Sequence, residues 1–134
     1  MYTINEDQTI NTLLYLKHKL DCESLTEMFS QREKNFKIDS TTNLNLAKIK
    51  VKVQEFEIII IDHKIGNSEL TEFINFCRNT NKKSEILLLY SDISSNIFET
   101  YKSLGVNAFL STKKGFEVLK TGLYTLLKGE GFYL

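Results

Sequence analysis

Residues 57–62 read Glu-Ile-Ile-Ile-Ile-Asp, and four consecutive isoleucines closing on an acid leave the chain few ways to fold. Isoleucine is stiff at its branched β-carbon and packs well on a pleated surface. No polar residue alternates with these four, so both faces of the segment need apolar cover, as in a strand inside a parallel sheet. A second run, Glu85-Ile86-Leu87-Leu88-Leu89-Tyr90, has the same character and leads into Ser91-Asp92, a turn and helix entry. Between the two runs, Leu70, Phe73, Ile74 and Cys77 fall at the spacing of one helical face. The middle of the chain therefore reads strand, helix, strand.

The same reading extends to both ends. Leu13 to Leu16 gives a first strand, Leu25 to Phe29 sits in a helix, and Phe36 to Ile38 gives a short second strand. Leu44 to Val53 is ambiguous: Ile49, Val51 and Val53 alternate with lysines, yet Leu46, Ile49, Val53 and Phe56 suit a helical face. Helix is the choice, because neighbouring parallel strands need a crossover there. Ile97, Tyr101 and Leu104 line a helix ending at Gly105, Asn107 to Leu110 gives a strand, and Phe116 to Leu127 gives a last helix. Five β-α units make a doubly wound α/β sheet, whose functional groups gather at the carboxyl ends of the strands. Those ends are the loops at 17–20, 62–68, 90–95 and 111–115.

Composition narrows the function classes. A chain of 134 residues is long enough for one self-sufficient core, and residues 1–11 read as an N-terminal extension to it. Seventeen basic side chains balance seventeen acidic ones, so the segment has no strongly basic surface for nucleic acid. Cys22 and Cys77 are too few for a disulfide framework and read as small buried hydrophobes. With no apolar run long enough for a signal peptide or membrane span, a cytoplasmic protein is expected. Gly-rich phosphate loops and a nucleophile paired with a base are both absent, so no enzyme is expected.

The strand ends carry a family resemblance. Ile58 to Gly66 resembles the third strand and phosphorylated loop of response-regulator receiver domains, in which a hydrophobic run ends in the acceptor aspartate, here Asp62. Gly105-Val106-Asn107-Ala108-Phe109-Leu110 resembles their fifth strand, with Phe109 at its aromatic position, and Leu119 to Leu134 is similar to the last helix and exit of LuxR-type receivers. Asp62 to Tyr90 is 28 residues and Tyr90 to Thr112 is 22, as between acceptor, switch hydroxyl and lysine in that subfamily. The resemblance implies a flavodoxin-like (βα)5 fold of five parallel strands in the order 2-1-3-4-5, and places any DNA-binding output module beyond residue 134.

The same register puts Lys17 and His18 where the family has two adjacent metal-binding acids, Tyr90 on the switch hydroxyl and Thr112 on the lysine. Phosphoryl transfer to a carboxylate needs Mg²⁺ held by several oxygens and a cation nearby. Lys17 instead brings positive charge to the metal's place, and an ammonium about 4 Å from Asp62 would interact by roughly 4 kcal/mol before desolvation. A Lys17 salt bridge or hydrogen bond to Asp62 is therefore expected in place of the metal. Tyr90 reads as a core aromatic with its hydroxyl at the rim. Lys113 lies one place past Thr112, on the opposite face of a regular strand, and the pair Ser91 and Lys113 keeps the 22-residue separation if the register slips. Glu6-Asp7 is an alternative acidic pair that needs a much longer first helix. For Asp62 itself, the plain alternative is a strand-end acid that binds loop amides.

The leading expectation is an atypical, phosphorylation-independent receiver at the N-terminus of a two-component-type transcription regulator. It would act through a protein partner or a homodimer, with no cofactor. A conventional receiver phosphorylated on Asp62 by a sensor histidine kinase, with Mg²⁺, is the alternative, and a free-standing protein-interaction adaptor is a third reading.

Overall fold

The computed structural model describes residues 8–80, 83–92 and 95–134. The four-isoleucine segment forms β3 of the scheme that follows. In chain order the elements are β1 (Ile10–Tyr15), α1 (Lys19–Arg32), β2 (Phe36–Thr41), α2 (Leu44–Val53), β3 (Ile58–Asp62), α3 (Asn67–Thr80), β4 (Glu85–Tyr90), α4 (Ser95–Leu104), β5 (Ala108–Ser111), α5 (Phe116–Leu127) and β6 (Phe132–Tyr133). Single 3-10 turns follow β3 (His63–Ile65) and β5 (Thr112–Lys114).

Each isoleucine of β3 is fully buried because the pleat sends them alternately to two helical layers. Ile59 and Ile61 join Leu13, Tyr15, Ile86 and Leu88 on the side that α2, α3 and α4 cover. Ile58 and Ile60 join Leu14, Leu16, Leu87 and Leu89 on the side of α1 and α5. Burying one such side chain is worth about 1.5–3 kcal/mol. The run is thus the sheet's central support on both faces.

Three expectations are corrected. All strands are parallel, but the sheet has six, in the order β2-β1-β3-β4-β5-β6, where five were expected. The added β6 is only two residues long and pairs Phe132 with Ala108 and Tyr133 with Phe109. Two glycines make room for it: a Cβ on Gly131 would lie 2.5 Å from the Asn107 carbonyl oxygen, and one on Gly122 would collide with the Phe132 ring. Second, β1 starts at Ile10, inside the segment read as an extension, since Ile10 pairs with Phe36 and is fully buried.

Third, α2 is a helix as chosen, begun by Asn43, whose side chain accepts the Leu46 N–H at 2.9 Å. Its buried face is nevertheless Ala47 and Val51. Of the expected inner face, Leu46, Ile49 and Val53 are 50%, 54% and 76% exposed, and only Phe56, past the end of the helix, is buried. Ala47 and Val51 pack into the core with Leu13, Tyr15 and Ile59, so the side of the helix that is buried is the one with the smaller residues.

At the amino ends of the strands, Arg78 ties α3 to the α4–β5 turn. Its guanidinium donates to the carbonyls of Ser84 (2.7 Å) and Gly105, and to Asn107 Oδ1 (2.8 Å), which also accepts the Ile86 N–H. Gly105 has φ +120° and passes so close that a Cβ would lie 2.6 Å from Arg78 Nε.

Candidate functional site

Parallel topology brings the carboxyl ends of β1, β3, β4 and β5 to one rim, and Asp62 ends β3 there. Its side chain is 6% exposed and belongs to the α1–α5 side of the sheet, beside its register partner Leu89. Two backbone amides hold it. The Lys17 N–H donates to Oδ2 at 3.2 Å and the Lys64 N–H donates to Oδ1 at 3.0 Å. The second bond is a local turn in which the acid caps its own following residues.

Lys17 therefore meets Asp62 as a hydrogen bond, but through its main chain. Its side chain is exposed, and no ion pair among the described residues includes Asp62. The expected ammonium–carboxylate bridge is corrected accordingly: β1 ends at Tyr15, so the chain is already turning into α1 at Lys17 and presents an amide where a strand would present a side chain. His18 is exposed, stands at the N-cap of α1 in extended conformation and makes no side-chain cap. Glu6 and Asp7, the alternative acidic pair, lie outside the described residues.

A cleft of about 310 Å³ opens beside Asp62, between α1 and α5. Its polar lining comes from Asp21, Ser24, Asp62, Lys64, Ser111 and Thr112. Its apolar lining includes Leu16, Leu25, Met28, Leu89, Leu110 and Leu119. Asp21 and Lys64 are the residues that sequence reasoning passed over. Asp21 sits in the first turn of α1, four places past Lys17, and Lys64 follows the acceptor position by two. One helical turn beyond a strand end is the spacing that marks Asp21 out.

The divalent ion that the fold family implies is held there by an acidic pair together with the acceptor acid. Here two carboxylates border the cleft, one of them with both oxygens already bonded to amides, and the described residues contain no group of three His, Cys, Asp or Glu side chains placed to hold a metal. This donor set does not fit such an ion.

The remaining positions divide between the two faces. Thr112 lines the cleft together with Leu110 and Ser111, whereas Lys113 does not line it and is exposed. The Lys113 N–H donates to Ser111 Oγ at 3.2 Å, closing the turn after β5. Ser91 is exposed in the bend that follows β4. Tyr90 points to the opposite face from Asp62. Its ring stands edge-on to Phe98 at 5.0 Å and faces Tyr133 at 6.2 Å. Phe98 in turn contacts Phe109 at 5.0 Å and Tyr133 at 4.2 Å. Burial, and then the neighbouring Tyr133 phenol, raises the Tyr90 hydroxyl above its ordinary value, so it stays protonated.

Two other groups are perturbed by burial. Cys77, within α3, is pushed up to about 12, and Cys22, beneath the start of α1, is also raised. Both are free and buried, as small hydrophobes are. Tyr15 donates its hydroxyl to Glu69 Oε2 at 3.2 Å, and burial followed by that carboxylate raises it strongly.

No protein-family model matches the chain, and no curated protein matches it. Solved structures do. The isolated REC domain of RcsB from Salmonella enterica serovar Typhimurium, in the apo form, superposes with a TM-score of 0.82 at 13% identity, covering 94% of this chain and 93% of that one. A LuxR-family two-component response regulator from Aurantimonas sp. SI85-9A1 gives 0.82 at 13% identity, over 93% and 89%. A LuxR-family DNA-binding response regulator from Silicibacter pomeroyi gives 0.75 at 12% identity, over 93% and 96%. The chain has the fold of a response-regulator receiver. No helix among the described residues is long and apolar enough to cross a membrane.

Proposed function

We propose that this chain is a receiver-like regulatory module that signals through protein contacts without a phosphorylation cycle at Asp62. The observation that carries this reading is the separation of Tyr90 from Asp62. The residue at the switch position belongs to an aromatic cluster on the far side of the sheet, where it cannot follow a change at the acid. Lys17 and His18 at the acidic-pair positions support it, as does the carboxylate already engaged by two amides. The structural neighbours named as LuxR-family regulators support placing the module at the N-terminus of a cytoplasmic transcription regulator, with a second copy or another protein as its partner.

Acetyl phosphate with Mg²⁺ tests the reading directly. The intact mass of the protein is expected to stay unchanged, and stoichiometric gain of one phosphoryl group that disappears in Asp62→Asn would overturn it.

One observation favours a conventional receiver served by a histidine kinase. Asp21 and Lys64 line the same cleft as Asp62, and an acid and a lysine are the residue types that phosphoryl transfer adds to the acceptor. Saturable Mg²⁺ binding lost on Asp21→Asn would select that second reading.

A further inference from the structure

The cleft beside Asp62 joins its acids to a largely apolar wall, and neither reading uses that wall. A buried carboxylate is costly unless it is paired. Each oxygen of Asp62 accepts one amide N–H, whereas an ionised carboxylate offers about four acceptor positions. No cation among the described residues pairs with it. Asp21 adds a second acid to the same lining against the single base Lys64, so the lining's formal charge is negative. The rest of the wall is largely leucine and methionine, which a hydrated metal ion would leave unsatisfied and an organic body would fill. At about 310 Å³ the space falls at the lower end of small-molecule sites.

We propose that this cleft binds a small organic cation, a protonated primary amine carried on an apolar aliphatic or aromatic body. The ammonium, with three donors, sits at Asp62 with Asp21 and the Ser111 and Thr112 hydroxyls as further acceptors. The body lies along Leu16, Leu25, Met28, Leu89, Leu110 and Leu119. The source is either a simple amine or an apolar amino acid. This deepens the reading of a module controlled without phosphorylation, because occupancy of the cleft would link α1 to α5 by a reversible ligand.

The test is titration of the full chain at neutral pH with 2-phenylethylamine, L-phenylalanine and the neutral 2-phenylethanol, followed by calorimetry and by shifts of the leucine methyl resonances. Saturable binding is expected for the amine or the amino acid, about ten-fold or more tighter than for the alcohol. That preference is expected to vanish in Asp62→Asn and to weaken in Asp21→Asn, whose exposed site makes it safe for folding. The proposal is overturned if neither charged ligand saturates, if the alcohol binds as well, or if both variants keep the preference. Phosphorylation of Asp62 by acetyl phosphate is read separately by mass. Its appearance would sink the phosphorylation-independent reading while the amine titration still stood or fell by itself.

Discussion

Two regions built from adjacent residues of the same strands have opposite character. At the ends of β4 and β5, Leu89 and Leu110 turn to the Asp62 cleft, while their neighbours Tyr90 and Phe109 turn to the other face. The cleft side keeps open space, a mixed polar and apolar lining and a carboxylate held by backbone amides. The other side carries a cluster of the rings of Tyr90, Phe98, Phe109 and Tyr133, beside which a second cleft of about 450 Å³ opens along α4, β5 and β6. A single step along a strand thus separates a cleft bordered by carboxylates from a face built around aromatic rings. Tyr90 packs against Phe98 of α4 and Tyr133 of β6, on the face turned away from Asp62.

The sharpest way to break this contrast is Phe98→Ala, which removes the ring that touches the other three. It is expected to cost about 3–5 kcal/mol in urea unfolding. The Lys17 and Lys64 amide resonances, which report on Asp62, should stay in place at urea concentrations where the variant is still folded. Movement of those resonances would mean that the two faces are coupled after all.

Tyr90→Thr places a small hydroxyl at the switch position and leaves a gap beside Phe98 and Tyr133. Because Tyr90 is only half-buried, a loss of about 2 kcal/mol is expected. Acetyl phosphate with Mg²⁺ should still leave the mass of this variant unchanged, since the acidic pair is not restored by it. Phosphorylation of the variant alone would show that the tyrosine was the sole obstacle.

The smallest effect is expected from Asp62→Asn. The amide keeps one oxygen as an acceptor and loses the other, so stability should fall by about 1 kcal/mol or less. A loss several times larger would mean that a cation absent from the ion pairs described above stabilises the carboxylate in solution.

Much of the fold could be read from periodicity. The runs at 58–61 and 85–90 gave their strands, and the 3.6-residue spacing gave α3, α4 and α5, because those segments are long enough for a pattern to repeat. The direction that α2 faces was misread, since Leu46, Ile49 and Val53 are larger than Ala47 and Val51 and hydrophobicity alone favours the larger set. A two-residue strand such as β6 has no period at all. Its place depends on Gly122 and Gly131 yielding space far along the chain or across the sheet.

At the site, Asp62 and its rim position followed from the apolar run that it ends. The partners of Asp62 did not. A sequence names side chains, and it records neither where the amide of Lys17 points once β1 has ended nor that the first turn of α1 carries Asp21 back over the sheet.

What the amino-acid order determined by itself was the longer strands and helices and which residues stand at their ends, because these depend on local spacing and on apolar runs that must be covered. Tertiary structure alone decided that the acid is held by amides, that a cleft lies between α1 and α5, and that Tyr90 belongs to an aromatic edge. Those outcomes depend on the rotation of whole helices and on contacts between residues far apart in the chain, where close packing rather than local pattern selects the arrangement.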